Sequence, residues 1–209
     1  MKYSIIILCI ILLIYYFYTK DKNTNKQFNT QDNFLSDKDC DKLIELIEHR
    51  LKPSTVVLPG KSAVDLDSRT SNTAFFKRSE NKIVRKIENR VCKMLNVSPY
   101  QLEPLQVAKY IEGQQYKYHY DFFNSEINEV TNQRHHTVII YLNNVKKKNG
   151  GCTDFKYGDS HQPIKGKMLH WSNLDNELNP DKSTLHAGKP IIGEAEKYIV
   201  TVWTRLNEY

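Results

Sequence analysis

His119 and Asp121 stand two positions apart in the run Tyr116-Lys117-Tyr118-His119-Tyr120-Asp121. In an extended chain residues i and i+2 share a face, so an imidazole and a carboxylate are presented together. Two histidines and one carboxylate on one face of an octahedron leave adjacent positions open for substrates, the arrangement that non-haem Fe(II) chemistry uses. The pair needs one more ligand, and the best candidate is His186, in Ser183-Thr184-Leu185-His186-Ala187-Gly188-Lys189-Pro190. By itself a His-x-Asp is a weak signal, because a surface histidine near an aspartate is commoner than a ligand pair. Downstream, Lys197 opens the β-like run Lys197-Tyr198-Ile199-Val200-Thr201-Val202-Trp203. A ferrous site with one carboxylate ligand keeps positive charge and favours an anionic chelator. If that chelator is a dicarboxylate such as 2-oxoglutarate, its far end needs a second cation, which a core lysine would supply. Taken alone, Lys197 reads as a surface lysine at a strand start, since lysine is rarely buried unless paired.

Elements able to position these residues are visible in the apolar periodicity. Leu43, Ile44, Ile47 and Leu51 recur at helical spacing, which predicts a helix over 37–51 with Ser36 or Asp37 as N-cap. Ile83, Ile87, Val91 and Leu95 predict a second over 79–95, and the two would buttress a sheet. From Glu103 onward the signal is β: 105–111, 137–142, 167–171 and 198–205 are short runs of Val, Ile, Thr and aromatics between Gly, Asn, Asp and Pro clusters. Helices followed by many short strands predict an α+β layout with a sandwich or barrel-like core. Residues 21–32, rich in Asn, Lys, Gln and Thr, read as a polar linker. Met1 to Tyr18 is almost wholly apolar between Lys2 and Lys20. With no small-x-small cleavage site, residues 1–20 are expected to be an uncleaved single-pass membrane anchor rather than a signal peptide. Residues 33–209 then form one domain.

Several pieces of this sequence together resemble the prolyl 4-hydroxylase branch of the Fe(II)/2-oxoglutarate-dependent dioxygenases. They are Phe34-Leu35-Ser36 with Cys40, Arg69-Thr70-Ser71, Glu103-Pro104-Leu105-Gln106-Val107, and Tyr110 with Gly113-Gln114 and Tyr116. The His119/Asp121 pair, Gly150-Gly151-Cys152-Thr153-Asp154-Phe155, Lys165-Gly166-Lys167, and His186-Ala187-Gly188 with Pro190 complete the set. The resemblance implies a double-stranded β-helix, or jelly roll, with His119, Asp121 and His186 as Fe(II) ligands. It implies that Lys197 binds the distal carboxylate of 2-oxoglutarate, that Tyr110 donates its hydroxyl to this cosubstrate, and that Thr137 and Trp203 line its pocket. Prolyl residues in peptides would be the substrate, with release of succinate and CO2 and L-ascorbate as auxiliary reductant, and an endoplasmic-reticulum lumen would suit the catalytic domain. One departure stands out: the spacing from His186 to Lys197 is one residue longer than the family pattern. A longer turn before the strand preserves the geometry, whereas an extra residue inside the strand would flip Lys197 to the opposite face. Tyr116, Tyr118 and Arg134 are candidate peptide contacts.

The formal charge of +6 is spread over lysines and arginines that alternate with acids, which describes a solvated surface and no nucleic-acid partner. Cys9, Cys40, Cys92 and Cys152 show no metal-knuckle spacing, and a disulfide among the last three stays open. His49, His135, His136, His161 and His170 read as surface or core histidines, with His170 the reserve ligand. Alternative functions are a related oxygenase acting on lysyl or other substrates, a Zn(II) hydrolase on the same three ligands, and a non-catalytic membrane-anchored binding module. No HExxH helix is present, and the hydrolase leaves Lys197 without a task.

Overall fold

A computed structural model describes residues 28–58, 61–123 and 132–209. Ser36 caps helix α1 (Asp37–Ile47) by accepting the Asp39 N–H, with Asp37 and Asp39 in the first turn complementing the helix dipole. Asn81 caps helix α2 (Lys82–Leu95) by accepting the N–H groups of Ile83 and Val84, and Asn96 ends it in the left-handed conformation. The helix begins after Ser79 rather than at it. Ser79 has φ 54°, and its N–H donates to the buried Glu88 carboxylate at 2.9 Å. Leu43 and Ile47 of α1 and Val84, Ile87 and Val91 of α2 are fully buried, each such side chain contributing about 1.5–3 kcal/mol.

Seven strands form the larger sheet, in the order β1 (Phe28–Gln31), β11 (Met168–Ser172), β8 (Arg134–Tyr141), β13 (Lys197–Arg205), β6 (Leu105–Tyr110), β5 (Asn72–Phe76) and β2 (Lys52–Pro53). Four form the smaller sheet: β10 (Ser160–His161), β9 (Thr153–Phe155), β12 (His186–Gly188) and β7 (Tyr116–His119). A separate hairpin pairs β3 (Val56–Leu58) with β4 (Lys61–Ala63). Among the described residues, every pairing between these named strands is antiparallel.

Strand alternation divides the core in two. Val138, Ile140, Val200 and Val202 pack against the helices, while Ile139, Tyr141, Ile199, Ala108 and Tyr110 form a second cluster with Phe155 of the smaller sheet. Two facing antiparallel sheets with helices on one outer side match the expected α+β jelly roll.

The expected linker over 21–32 is corrected at its end, where Phe28–Gln31 is an edge strand paired with Met168–Trp171. The Phe28 ring meets Phe155 at 3.9 Å between centroids. Apart from Phe28 this strand has no apolar side chain, and its backbone pairing, which composition does not report, holds it in place. The expected anchor over 1–20 lies outside the described residues; among those described, no helix is long and apolar enough to cross a membrane. Cys40, Cys92 and Cys152 are free thiols.

Candidate metal centre

Strands β7 and β12 lie side by side with His119 directly opposite His186, their ring centroids 4.2 Å apart. Asp121 follows two residues after His119 in a bend. Its Oδ1 lies 3.7 Å from His119 Nε2 and its Oδ2 3.8 Å from His186 Nε2. Residues far apart in sequence thus bring three ligand atoms within 4.8 Å of one another, and they are the one such group among the described residues.

The surroundings fix the ligand atoms. His119 Nδ1 lies 2.8 Å from the Lys117 carbonyl, and His186 Nδ1 lies 2.9 Å from the Thr184 carbonyl. Both Nδ1 atoms therefore carry hydrogen, which turns the Nε2 lone pairs toward the centre. Burial, with His186 beside it, pulls the His119 pKa down to about 3, so the ring stays neutral and able to ligate. Burial also pushes the Asp121 carboxyl upward. The neighbouring imidazoles, Arg134 and the Thr137 hydroxyl outweigh it, so the group lies below its ordinary value. Thr137 Oγ1 donates to Asp121 Oδ2 at 2.8 Å and accepts from Asn173 Nδ2 at 2.9 Å. Asn173 Oδ1 in turn accepts the Trp171 indole N–H at 2.9 Å. Two imidazoles and a buried carboxylate, each oriented by a partner behind it, are a donor set that fits a divalent iron.

One open cavity is lined by all three residues of the triad and by Lys197. Lys197 is 2% exposed. Burial lowers its pKa to about 8. No ion pair or hydrogen bond reaches its ammonium among the described residues; its company is the Tyr110 ring, 5.3 Å from Nζ, and the Tyr141 ring, 6.0 Å away. A buried cation without an anion is costly unless a ligand supplies one. The longer spacing from His186 sits before the strand: β13 keeps continuous register with β6 from Lys197 through Thr201, and Gly193 turns the preceding segment at φ 69°.

Tyr110 and Trp203 line the same cavity, as the resemblance implies. Thr137 differs: it stands behind Asp121 and positions that carboxylate rather than walling the cavity. His170, the reserve ligand, is corrected. It pairs with Val138 on β8 and contacts His136, on the sheet face opposite Thr137. Tyr118 is 41% exposed, with its hydroxyl donating to Asp154 at 2.5 Å. Tyr116 stacks on His119 at 3.4 Å between centroids. Arg134 pairs with Glu103 through Nε at 2.8 Å and Nη2 at 2.7 Å, and its guanidinium covers the Trp203 ring at 3.8 Å.

Sequence reasoning missed Ile139, Ile199 and Thr201 as walls, and left Arg69, Gln106 and Thr153 as motif letters without a task. Alternation would have found three of them. Once Lys197 is placed inward, Ile199, Thr201 and Trp203 follow at every second position, as Ile139 follows from Thr137. Arg69 carries no such signal. It is buried because Nη2 donates to Gln106 Oε1 at 2.8 Å and its guanidinium covers the Tyr116 ring at 4.8 Å, contacts between distant segments.

Comparison with known proteins agrees with this geometry. The model of the 2OG-Fe(II) oxygenase superfamily matches residues 105–205. Prolyl 4-hydroxylase 2 of Arabidopsis thaliana is 33% identical over 203 residues, covering 85% of this chain and 67% of the relative. The prolyl 4-hydroxylase subunit alpha-3 of Rattus norvegicus is 32% identical over 184 residues, 85% of this chain and 33% of the subunit. Among solved structures, a viral collagen prolyl hydroxylase from Paramecium Bursaria Chlorella virus-1, in complex with 2OG, superposes with a TM-score of 0.71 at 31% identity, covering 86% of this chain and 96% of that one.

Proposed function

The chain belongs to the prolyl 4-hydroxylase family of the Fe(II)/2-oxoglutarate-dependent oxygenases, and from that premise we propose that it hydroxylates prolyl residues in peptides, with succinate and CO2 as co-products. The observation that carries this reading is the buried ammonium of Lys197, which has no ion pair or hydrogen bond among the described residues, in the cavity that the triad also lines. His119, Asp121 and His186 would hold the iron. Iron, 2-oxoglutarate and O2 together supply the oxidising power for an unactivated C–H bond.

The protein's own residues bind, orient and shield. Lys197 pairs with the distal carboxylate of the cosubstrate, which fixes the diacid's length along the cavity axis. Tyr110 directs its hydroxyl to the same ligand, and Ile139, Ile199 and Trp203 keep water from its sides. Thr137 and the carbonyls of Lys117 and Thr184 hold the three ligand atoms in register. Tyr116, stacked on His119, and Trp203, covered by Arg134, give the cavity an aromatic lining suited to a polyproline II ligand, which loses little entropy on ordering.

L-Ascorbate as auxiliary reductant rests on the family resemblance. A membrane anchor formed by residues 1–20 rests on their apolar run, whose flanking Lys2 and Lys20 give it no preferred orientation, so an endoplasmic-reticulum lumenal site for the catalytic domain rests on the resemblance alone. The test is anaerobic Fe(II) and 2-oxoglutarate titration, followed by aerobic turnover of Pro-rich, Lys-containing and mixed peptides with mass-spectrometric readout. A mass gain of one oxygen on proline, coupled to succinate, is expected. Oxygen on lysine alone, or no decarboxylation of 2-oxoglutarate with any peptide, would overturn the proposal.

A further inference from the structure

A second group of imidazoles lies on the other face of strand β8. His136 is paired with Ser172 and His170 with Val138, so their side chains are diagonal neighbours on two adjacent strands. His170 Nε2 stands 3.2 Å from His136 Nδ1. The His135 ring stacks on that of His136 at 3.9 Å between centroids. All three are half-buried, within reach of a solvent cation.

The spacing and chemistry are those of metal ligands. Two nitrogens bound to one tetrahedral zinc at about 2.0–2.1 Å lie roughly 3.3 Å apart, close to the separation found here. Imidazole suits Zn(II), Cu(II) and Ni(II) provided it is neutral. Burial, with His135 and His170 beside it, pulls the His136 pKa down to about 3. Burial, with His135 nearby, lowers that of His170 to about 4, and burial lowers His135 as well. No carboxylate pairs with any of these rings among the described residues. Among the described residues, the one polar partner of His136 Nδ1 and of His170 Nε2 is the other.

We propose that His136 and His170 form a second, non-catalytic site for a divalent transition metal of the zinc class, with His135 packed against it and water completing the coordination. In the bound form His136 carries its hydrogen on Nε2 and His170 on Nδ1, so the hydrogen between the facing nitrogens moves to the far nitrogen of its own ring, no proton is released, and the ion ties β8 to β11. His136 and Thr137 alternate across the sheet, so this site and the triad occupy opposite faces of one strand. The inference is independent of the proposed reaction.

The experiment titrates Zn(II) into chelator-stripped full chain and counts bound equivalents by elemental analysis after desalting. Two equivalents are expected in wild type, one in the His136→Gln/His170→Gln variant, and one in the His119→Ala/His186→Ala variant. In the last of these, Zn(II) should still raise the melting temperature by mass action. Ring-nitrogen NMR of wild-type protein supplies a readout that needs no variant: His136 and His170 resonances shift with the second equivalent. A stoichiometry unchanged by the His136→Gln/His170→Gln substitutions, or His136 and His170 resonances unmoved throughout the titration, would reduce the pair to a hydrogen bond and overturn the proposal.

Discussion

Replacing Lys197 with methionine should move stability and cosubstrate affinity in opposite directions. Burial holds the Lys197 pKa at about 8 against an ordinary 10.5. At 1.36 kcal/mol per pH unit, the charged form is destabilised by roughly 3 kcal/mol in the folded protein without its diacid. The side chain is a base whose folded pKa is depressed, so this penalty is complete below about pH 8. It fades as pH rises toward 10.5 and vanishes above that, because in the window the unfolded chain binds more protons. Lys197→Met fills similar volume without charge. It should raise the unfolding free energy at pH 7 by up to about 3 kcal/mol, with the advantage shrinking between pH 8 and 10.5. Truncating one partner of a buried charge pair costs about 2–5 kcal/mol, so 2-oxoglutarate should bind at least about 30-fold more weakly. Urea unfolding across pH and anaerobic calorimetry with Fe(II) measure the two quantities. A variant less stable than wild type at pH 7, with cosubstrate affinity within threefold, would refute the reasoning and return Lys197 to a structural role.

Other outcomes follow from the same geometry. In wild type the cosubstrate Kd should be flat below about pH 8 and rise about tenfold per unit above it as the ammonium deprotonates; a flat profile to pH 10 contradicts this. Asp121→Asn or His186→Ala should abolish Fe(II)-dependent succinate formation, and retained turnover would mean that other ligands hold the iron. Thr137→Val strips Asp121 Oδ2 and Asn173 Nδ2 of a partner. It should weaken iron binding about 10–100-fold and cost about 1–3 kcal/mol, read by metal titration and urea midpoint. Gly151 has φ 69°, and a Cβ there would stand 2.6 Å from Ile191 Cδ1 and 3.7 Å from Lys197 Cδ. Gly151→Ala should therefore cost about 1–3 kcal/mol and raise the KM for 2-oxoglutarate; an unchanged urea midpoint would show that the turn adapts freely.

Where local pattern carried the information, the sequence was legible. Helical spacing placed α1 and α2 to within a few residues, and their ends moved because side chains outside the apolar pattern set them. Asn81 caps α2, and Glu88 holds the turn at Ser79. The four strand runs fell in place because β-branched and aromatic residues there are buried on a sheet. Strand β1 was not legible, since Asn29, Thr30 and Gln31 carry polar side chains and the edge of β11 is what orders them.

Residue type and spacing offered the triad only as candidates, because iron demands particular donors whatever chain surrounds them, and it is the family resemblance that gave the three ligands and Lys197 their roles. Their convergence could be read from neither. It depends on β12 pairing with β7 so that His186 faces His119, and on β13 entering the sheet in the register that turns Lys197 inward. Alternation along β8 turns His136 away from the site that Thr137 supports, and the pairing of β8 with β11 brings it against His170. Composition and motif fix which groups are available; pairing between distant strands, driven by burial that no single segment achieves alone, decides which of them meet.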